Sequence, residues 1–136
     1  QLVRERWGTS DTVLVGFGSY QGSVIAGNAW GARMREMEVP PAREESWEAL
    51  LHEQSPKDML FITRDIKEKT VLTKHIDHRA IGVVYHPDRE RYGNYVPSII
   101  PSRYDAFIYI DFTTALHPLD VKSEINLTPE TYPWAI

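Results

Sequence analysis

Cysteine is missing from all 136 residues. That one gap removes a disulfide framework, a thiolate metal site and a cysteine nucleophile together. It also fits a reducing compartment, so a cytoplasmic protein is expected. A basic excess is missing too, since 15 Lys and Arg stand against 19 Asp and Glu for a formal net charge of −4. Without surplus cations to neutralise phosphates, no nucleic-acid partner is expected. No apolar run approaches the roughly 20 residues that span a bilayer, and no secretory signal opens the chain. No membrane partner is expected either. Position 1 is Gln1, not Met, and no capping residue precedes the helical spacing of Leu2, Val3 and Trp7. The expectation is a chain excised from a longer one, partway along a helix.

What is present suits one globular domain: 42% hydrophobic and 25% charged residues, with no repeat, low-complexity stretch or dividing linker. This length buries a core without staples. Gly8 predicts the stop of the opening helix. Residues 12–18, TVLVGFG, read as a strand suited to burial on both faces, and residues 23–27, SVIAG, as a second strand. Residues 28–33 form a loop around Trp30 and Gly31. Residues 34–39 alternate as a half-exposed strand running into Pro40 and Pro41. Ser46 caps a helix with Trp47, Leu50 and Leu51 on one face, ended by Gln54, Ser55 and Pro56. Residues 58–63, DMLFIT, and 79–85, RAIGVVY, read as buried strands, and 104–112, YDAFIYIDF, as the last clear one. Residues 65–74 are a short helix or loop, and 86–103 a long ordered loop of the kind that often carries function. The fold class is α/β, with a mixed sheet, mostly buried and flanked by helices. Several gaps between strands are too short for a crossover helix.

The run VLVGFGSYQG, with Gly16, Gly18 and Gly22, has the look of a phosphate loop. That chemistry needs a helix N-terminus after the last glycine. Here β-branched Val24 and Ile25 and then Gly27 follow instead, so a strand, tight turn and second strand are expected, and no nucleotide cofactor. A serine nucleophile at Ser19 fails on spacing, since Gly18 adjoins it directly and no helix follows. His75, Asp77 and His78, with His86 nearby, are the best metal candidates. On an extended segment His75 and His78 point to opposite faces, which favours an exposed polar connector and no metal. Glu44 and Glu45 read as charges favouring the N-terminus of the following helix, and Arg89, Arg91 and Arg103 as solvated loop cations. No complete catalytic set assembles from these residues.

Several motifs in fixed order carry a resemblance. QLVRERWG…VLVGFGSYQGSVIAG, WGARMREMEVPPAREESWEALLHE and RAIGVVYHPDRERYGNYVPSIIPSRYDAFIYID together resemble the C-terminal part of erythromycin esterase-like proteins. The most telling pieces are Gly16-Phe17 with Gly22, Val39-Pro40-Pro41-Ala42, Ser46-Trp47-Glu48, Arg79-Ala80-Ile81-Gly82 and Tyr104-Asp105-Ala106. The resemblance implies that residues 1–119 are the C-terminal portion of such a domain, an incomplete part of a larger whole, and that 120–136 are a tail. It implies a bacterial hydrolase acting on a small-molecule ester or lactone by water attack. Its catalytic histidine and glutamate would lie in the upstream half of the same domain, which becomes this chain's partner. Some relatives are joined to a phosphoribosyltransferase domain, and antibiotic resistance is one role found among them. No catalytic residue and no cofactor carries over, because none of the five histidines matches the family's motifs. Ser19, Tyr20 and Gln21 are placed beside the substrate cleft. The alternative is a non-catalytic binding or assembly module using the Tyr- and Arg-rich stretch 86–103.

Overall fold

In the computed structural model, which describes residues 2–66 and 73–116, the longest element is a single strand where two were expected. Strand β1 runs unbroken over Val15–Ala26. There is no tight turn at GSYQG. The glycines serve a different purpose along that strand. A Cβ on Gly16 would lie 2.5 Å from the Tyr104 ring, and one on Gly18 would lie 2.7 Å from Phe107 and 3.0 Å from Glu48. Both positions are bare so that other side chains can approach the backbone. Gly22 alone on this strand needs glycine's conformational range, with φ +132. There β1 changes partners: residues up to Gly22 pair in parallel with β6 (Ala106–Thr113), and those from Gly22 onward pair antiparallel with β2 (Arg35–Val39).

The opening helix α1 covers Leu2–Trp7 and stops at Gly8, φ +84, whose N–H bonds back to the Arg4 carbonyl. Arg4 reaches Asp105 Oδ2 at 2.7 Å, and the Leu14 N–H bonds the same oxygen at 2.8 Å. The Leu14 amide and then Arg4 hold the Asp105 carboxyl below its ordinary range. Helix α2, Trp47–Gln54, begins at Ser46, whose Oγ accepts from the Ala49 N–H. Trp47 is buried as expected, but Leu50 is exposed and Glu48 is wholly buried. Strand β3, Met59–Ile62, pairs antiparallel with β6 at the sheet edge. The four-stranded order is β2-β1-β6-β3, a mixed sheet.

Alternation divides this sheet into two faces. Gly16, Gly18, Met59, Phe61, Phe107 and Tyr109 face α2, where Trp47, Ile76, Ile100, Phe107 and Tyr109 make one core cluster. Phe17, Leu60 and Phe112, on the opposite face, remain 61%, 65% and 62% exposed. The expectations of burial on both faces at 12–18 and of a buried strand at 58–63 are therefore corrected: β1 buries alternate residues there, and β3 is half-buried at Met59 and Phe61 and exposed at Leu60 and Ile62.

A second sheet pairs β4, Ile76–Arg79, with β5, Tyr95–Ser98. The strand expected over 79–85 lies upstream of that position. Residues 80–85 leave the ladder, keeping only a bridge from Val84 to Gly27. The expected long loop 86–103 carries a 3-10 turn (Pro87–Arg89), α3 (Glu90–Gly93), β5 and α4 (Ile100–Arg103). The ambiguous stretch 65–74 begins with a 3-10 turn over Thr63–Asp65, and its residues 67–72 lie outside the described residues, as does the expected boundary at 119. No described helix is long and apolar enough to cross a membrane.

Gly22 makes the sharpest test of the strand. A Cβ there would sit 2.0 Å from the Thr113 carbonyl oxygen on a positive-φ backbone, whereas one on Gly82 would meet nothing within 4 Å. Gly22→Ala is expected to lose about 2–3 kcal/mol in urea unfolding, and Gly82→Ala to stay within about 0.5 kcal/mol. Equal losses for the two variants would refute this account.

Candidate functional site

Polar side chains gather where α2, β4 and the open edge of β1 meet. Glu48 occupies the first turn of α2 and points inward, into the room Gly18 leaves. Its Oε1 lies 2.5 Å from His78 Nδ1. Both Glu48 oxygens also accept from the Arg79 N–H, at 3.2 Å each. The side chains are 0% and 6% exposed, so the pair is taken out of water almost completely. His78 is packed edge-on against Phe107 and Tyr104, with centroids at 5.5 and 6.2 Å.

Arg79, next in sequence, is buried with a matching set of acceptors. Nη1 donates to the Ser19 and Tyr20 carbonyls at 2.9 and 2.7 Å. Nη2 donates to the Pro40 carbonyl and to Glu90 Oε1 at 2.8 and 2.6 Å, and Nε donates to the Tyr95 hydroxyl at 3.1 Å. Tyr85 and Tyr95 donate in turn to Glu90. Burial pushes both phenols up, and at Tyr85 the bond to Glu90 adds to the rise. All five guanidinium donors are spent on protein, so Arg79 is a fastener with none left for a ligand.

A cleft of about 320 Å³ opens beside these groups, lined in part by Gly18, Ser19, His78, Arg79, Arg103 and Tyr104. Of the three side chains placed at a cleft from sequence, Ser19 is in this lining. Tyr20 faces the other way and stacks on His52, with ring centroids 3.7 Å apart and planes 4° apart. Gln21 pairs with Phe112 on β6 and accepts from Thr113 Oγ1 through its carbonyl. The exposed connector expected at 75–78 is corrected: His75 is exposed, but His78 is 5% exposed and paired. His86 is exposed. Among the described residues no three His, Cys, Asp or Glu come together as a metal site.

Neither Glu48 nor His78 stood out as a candidate pair in the sequence. One signal was available, because Ile76 is buried and strand alternation puts His78 on the same face. The flanking His75 and Asp77 disguised it. Chemically, a carboxylate on Nδ1 fixes the imidazole orientation and leaves Nε2 as the ring's remaining polar atom.

A second carboxylate–imidazole contact lies on the other side of β1. His52 Nδ1 is 2.7 Å from Asp111 Oδ1, and the Tyr109 hydroxyl donates to the same oxygen at 2.6 Å. Burial pushes the Asp111 carboxyl up, but Tyr109 and His52 outweigh it and the net direction is down. Burial and the bond to Asp111 push the Tyr109 phenol up.

Two expectations follow from these pairs. Glu48→Ala strands a buried imidazole and the Arg79 N–H. Urea unfolding should show a loss of about 3–5 kcal/mol, against about 0.5 kcal/mol or less for exposed Glu53→Ala. Asp111, with its folded pKa depressed, stabilises the fold above the unfolded carboxylate value near about 4 and ceases to do so as pH falls through the folded value. The stability gap between wild type and Asp111→Asn should therefore be full at neutral pH and close on acidification. A gap that widens in acid contradicts it.

Comparison with known proteins places this arrangement. Residues 1–113 match the family model described as Erythromycin esterase. A solved structure of a succinoglycan biosynthesis protein superposes with a TM-score of 0.66 at 16% identity, over 84% of this chain and 27% of that one. A protein from Bacillus cereus superposes with a TM-score of 0.69, also at 16% identity, over 84% of this chain and 28% of its own. These likenesses concern the fold, and this chain spans little more than a quarter of each neighbour's length. The match over 113 residues, in a mixed α/β fold shared with both structures, shows that the chain belongs to the erythromycin esterase family.

Proposed function

We propose that residues 1–119 are the C-terminal portion of a hydrolase domain that cleaves a small-molecule ester or lactone by water attack. In this reading the water-activating histidine and glutamate belong to the preceding half of the domain. This chain supplies core strands and one wall of the cleft. The observation that carries it is the family match combined with a cleft whose wall holds a buried carboxylate–imidazole pair. Ser19 borders the reacting ligand, while Tyr20 and Gln21 shape the wall from behind through the strand they share with it.

The open sheet face supports the same reading. Sheets built on parallel strands usually have both faces covered. Here the β1–β6 pair has α2 over one face, and on the other it presents Val15, Phe17 and Phe112, joined by Leu60 and Ile62 of β3, all at 38% exposure or more. That is an unusually large set of apolar side chains for a soluble surface. We assign it to packing against the rest of the domain.

The test compares the 136-residue chain with the same chain preceded by the rest of the family domain, each assayed on a chromogenic acetate ester and on a macrocyclic lactone. The short chain should show no turnover above buffer, and the long one should turn over at least one substrate class. Ester cleavage by the short chain, or none by the long one, overturns the reading.

A further inference from the structure

We infer that the outer edge of β1 over residues 15–19 is a slot for one more β-strand, supplied by the part of the domain that precedes α1. This rests on the hydrolase reading for the source of the strand, but the open edge itself is independent of that reading.

The edge is open because β1 changes partners along its length. β6 lies along one side of it from Val15 to Gly22, and β2 lies along the other side only from Gly22 to Ala26. Among the described residues, no strand stands beside residues 15–21 on the β2 side. The sequence itself stops β2 there. After Val39, opposite Gly22, come Pro40 and Pro41, which have no N–H to continue the ladder. The Pro40 carbonyl turns to Arg79 Nη2 instead, at 2.8 Å.

Register decides which backbone groups face this edge. A strand in a parallel ladder gives the N–H and C=O of alternate residues to one neighbour, and those of the residues between to the other side. The Leu14 carbonyl accepts from the Ala106 N–H at 3.3 Å, and the pairing advances one for one from Val15 with Ala106 to Ser19 with Ile110. Gly16 and Gly18 therefore face β6, and Val15, Phe17 and Ser19 turn their backbone groups outward. Arg79 agrees with this, since its Nη1 takes the Ser19 carbonyl at 2.9 Å. It closes the far end of the edge and leaves Val15 and Phe17 open. An unpaired row of this kind is a template for another strand. The Val15 and Phe17 side chains are 45% and 61% exposed, so the added strand carries apolar residues on that face. Residues 1–14, with α1 among them, are long enough for a crossover from a preceding strand, which makes the new strand parallel to β1. Its carboxyl end then arrives beside Ser19, at the cleft, where open α/β sheets place their ligands.

The experiment compares amide hydrogen exchange, residue by residue, in the 136-residue chain and in the same chain preceded by the rest of the family domain. In the short chain the Gly16 and Gly18 amides should be protected, while those of Val15 and Phe17 exchange freely at every protein concentration. In the long chain the Val15 and Phe17 amides should slow by at least about a hundredfold. A proline reads the bond itself. Val15 opens the strand, where proline is tolerated unless its N–H is needed. Val15→Pro and Val15→Ala should unfold at equal urea in the short chain, and in the long chain the proline variant should unfold at least about 0.5 M earlier. Val15 and Phe17 amides that are protected in the short chain, by its own residues or by a second copy, overturn the slot. So do amides that stay unprotected in the long chain, or a proline variant that is worse than alanine in the short chain or no worse in the long one. Slowed exchange without ester cleavage in the long chain removes the hydrolase reading alone. Ester cleavage without slowed exchange removes the slot alone.

Discussion

Arg79 holds this molecule together at the point where its two sheets meet. Its guanidinium takes two carbonyls from β1, one from Pro40 after β2, the Glu90 carboxylate of α3 and the Tyr95 hydroxyl of β5. Its own backbone N–H is held by Glu48 of α2. Arginine can do this because its planar fork presents five donors in fixed directions and remains charged when buried. Lysine has three donors on one compact centre and could not bridge the same five acceptors. The buried charge is tolerable only because Glu90 lies 2.6 Å away and two phenols cap that carboxylate. The edge of β1 beside the cleft is thus defined by Arg79, which takes up its carbonyls and leaves the Ser19 side chain toward the opening.

Much of this was legible from residues alone, and the failures have specific causes. The helix at Ser46 announced itself because its cap, its apolar spacing and its terminating Pro56 agree. The mixed sheet followed from short gaps between strands. GSYQG misled because glycine has two uses that look alike in sequence. Three glycines near a polar Ser-Tyr-Gln suggested a turn, yet only Gly22 uses the unusual backbone, and Gly16 and Gly18 make room for Tyr104, Phe107 and Glu48. The neighbour that fills such room is distant in sequence and cannot be seen from the glycine.

RAIGVVY failed for a related reason. Its β-branched residues have high strand propensity, but a strand needs a partner. The partner, β5, lies opposite Ile76–Arg79, so the ladder forms over the less obvious IDHR. Beyond it, the Ala80 N–H turns to the Asn94 carbonyl and the chain leaves the sheet. DMLFIT shows the converse limit. Its apolar residues at successive positions suggest burial on both sides, and the structure gives it α2 and α4 neighbours on one side only. Sequence records that a face is apolar, and it does not record which part of a protein covers it.

The Glu48–His78 pair raises the question of why a buried polar pair is kept where apolar residues would pack as well. Replacing such pairs with hydrophobic side chains is often neutral or stabilising, so their presence is not explained by stability. Glu48 alone has a structural use, since it holds the Arg79 N–H and with it the strand bearing the central arginine. His78 has no comparable duty. A leucine or phenylalanine at 78 would fill the space against Phe107 and Tyr104, and Glu48 would still hold β4. The imidazole therefore carries a desolvation cost that packing does not require, on a strand whose buried His78 and Arg79 both line an opening to solvent. Its orientation is set by the Glu48 carboxylate 2.5 Å away, so the cost is that of desolvating a paired group and not a lone one.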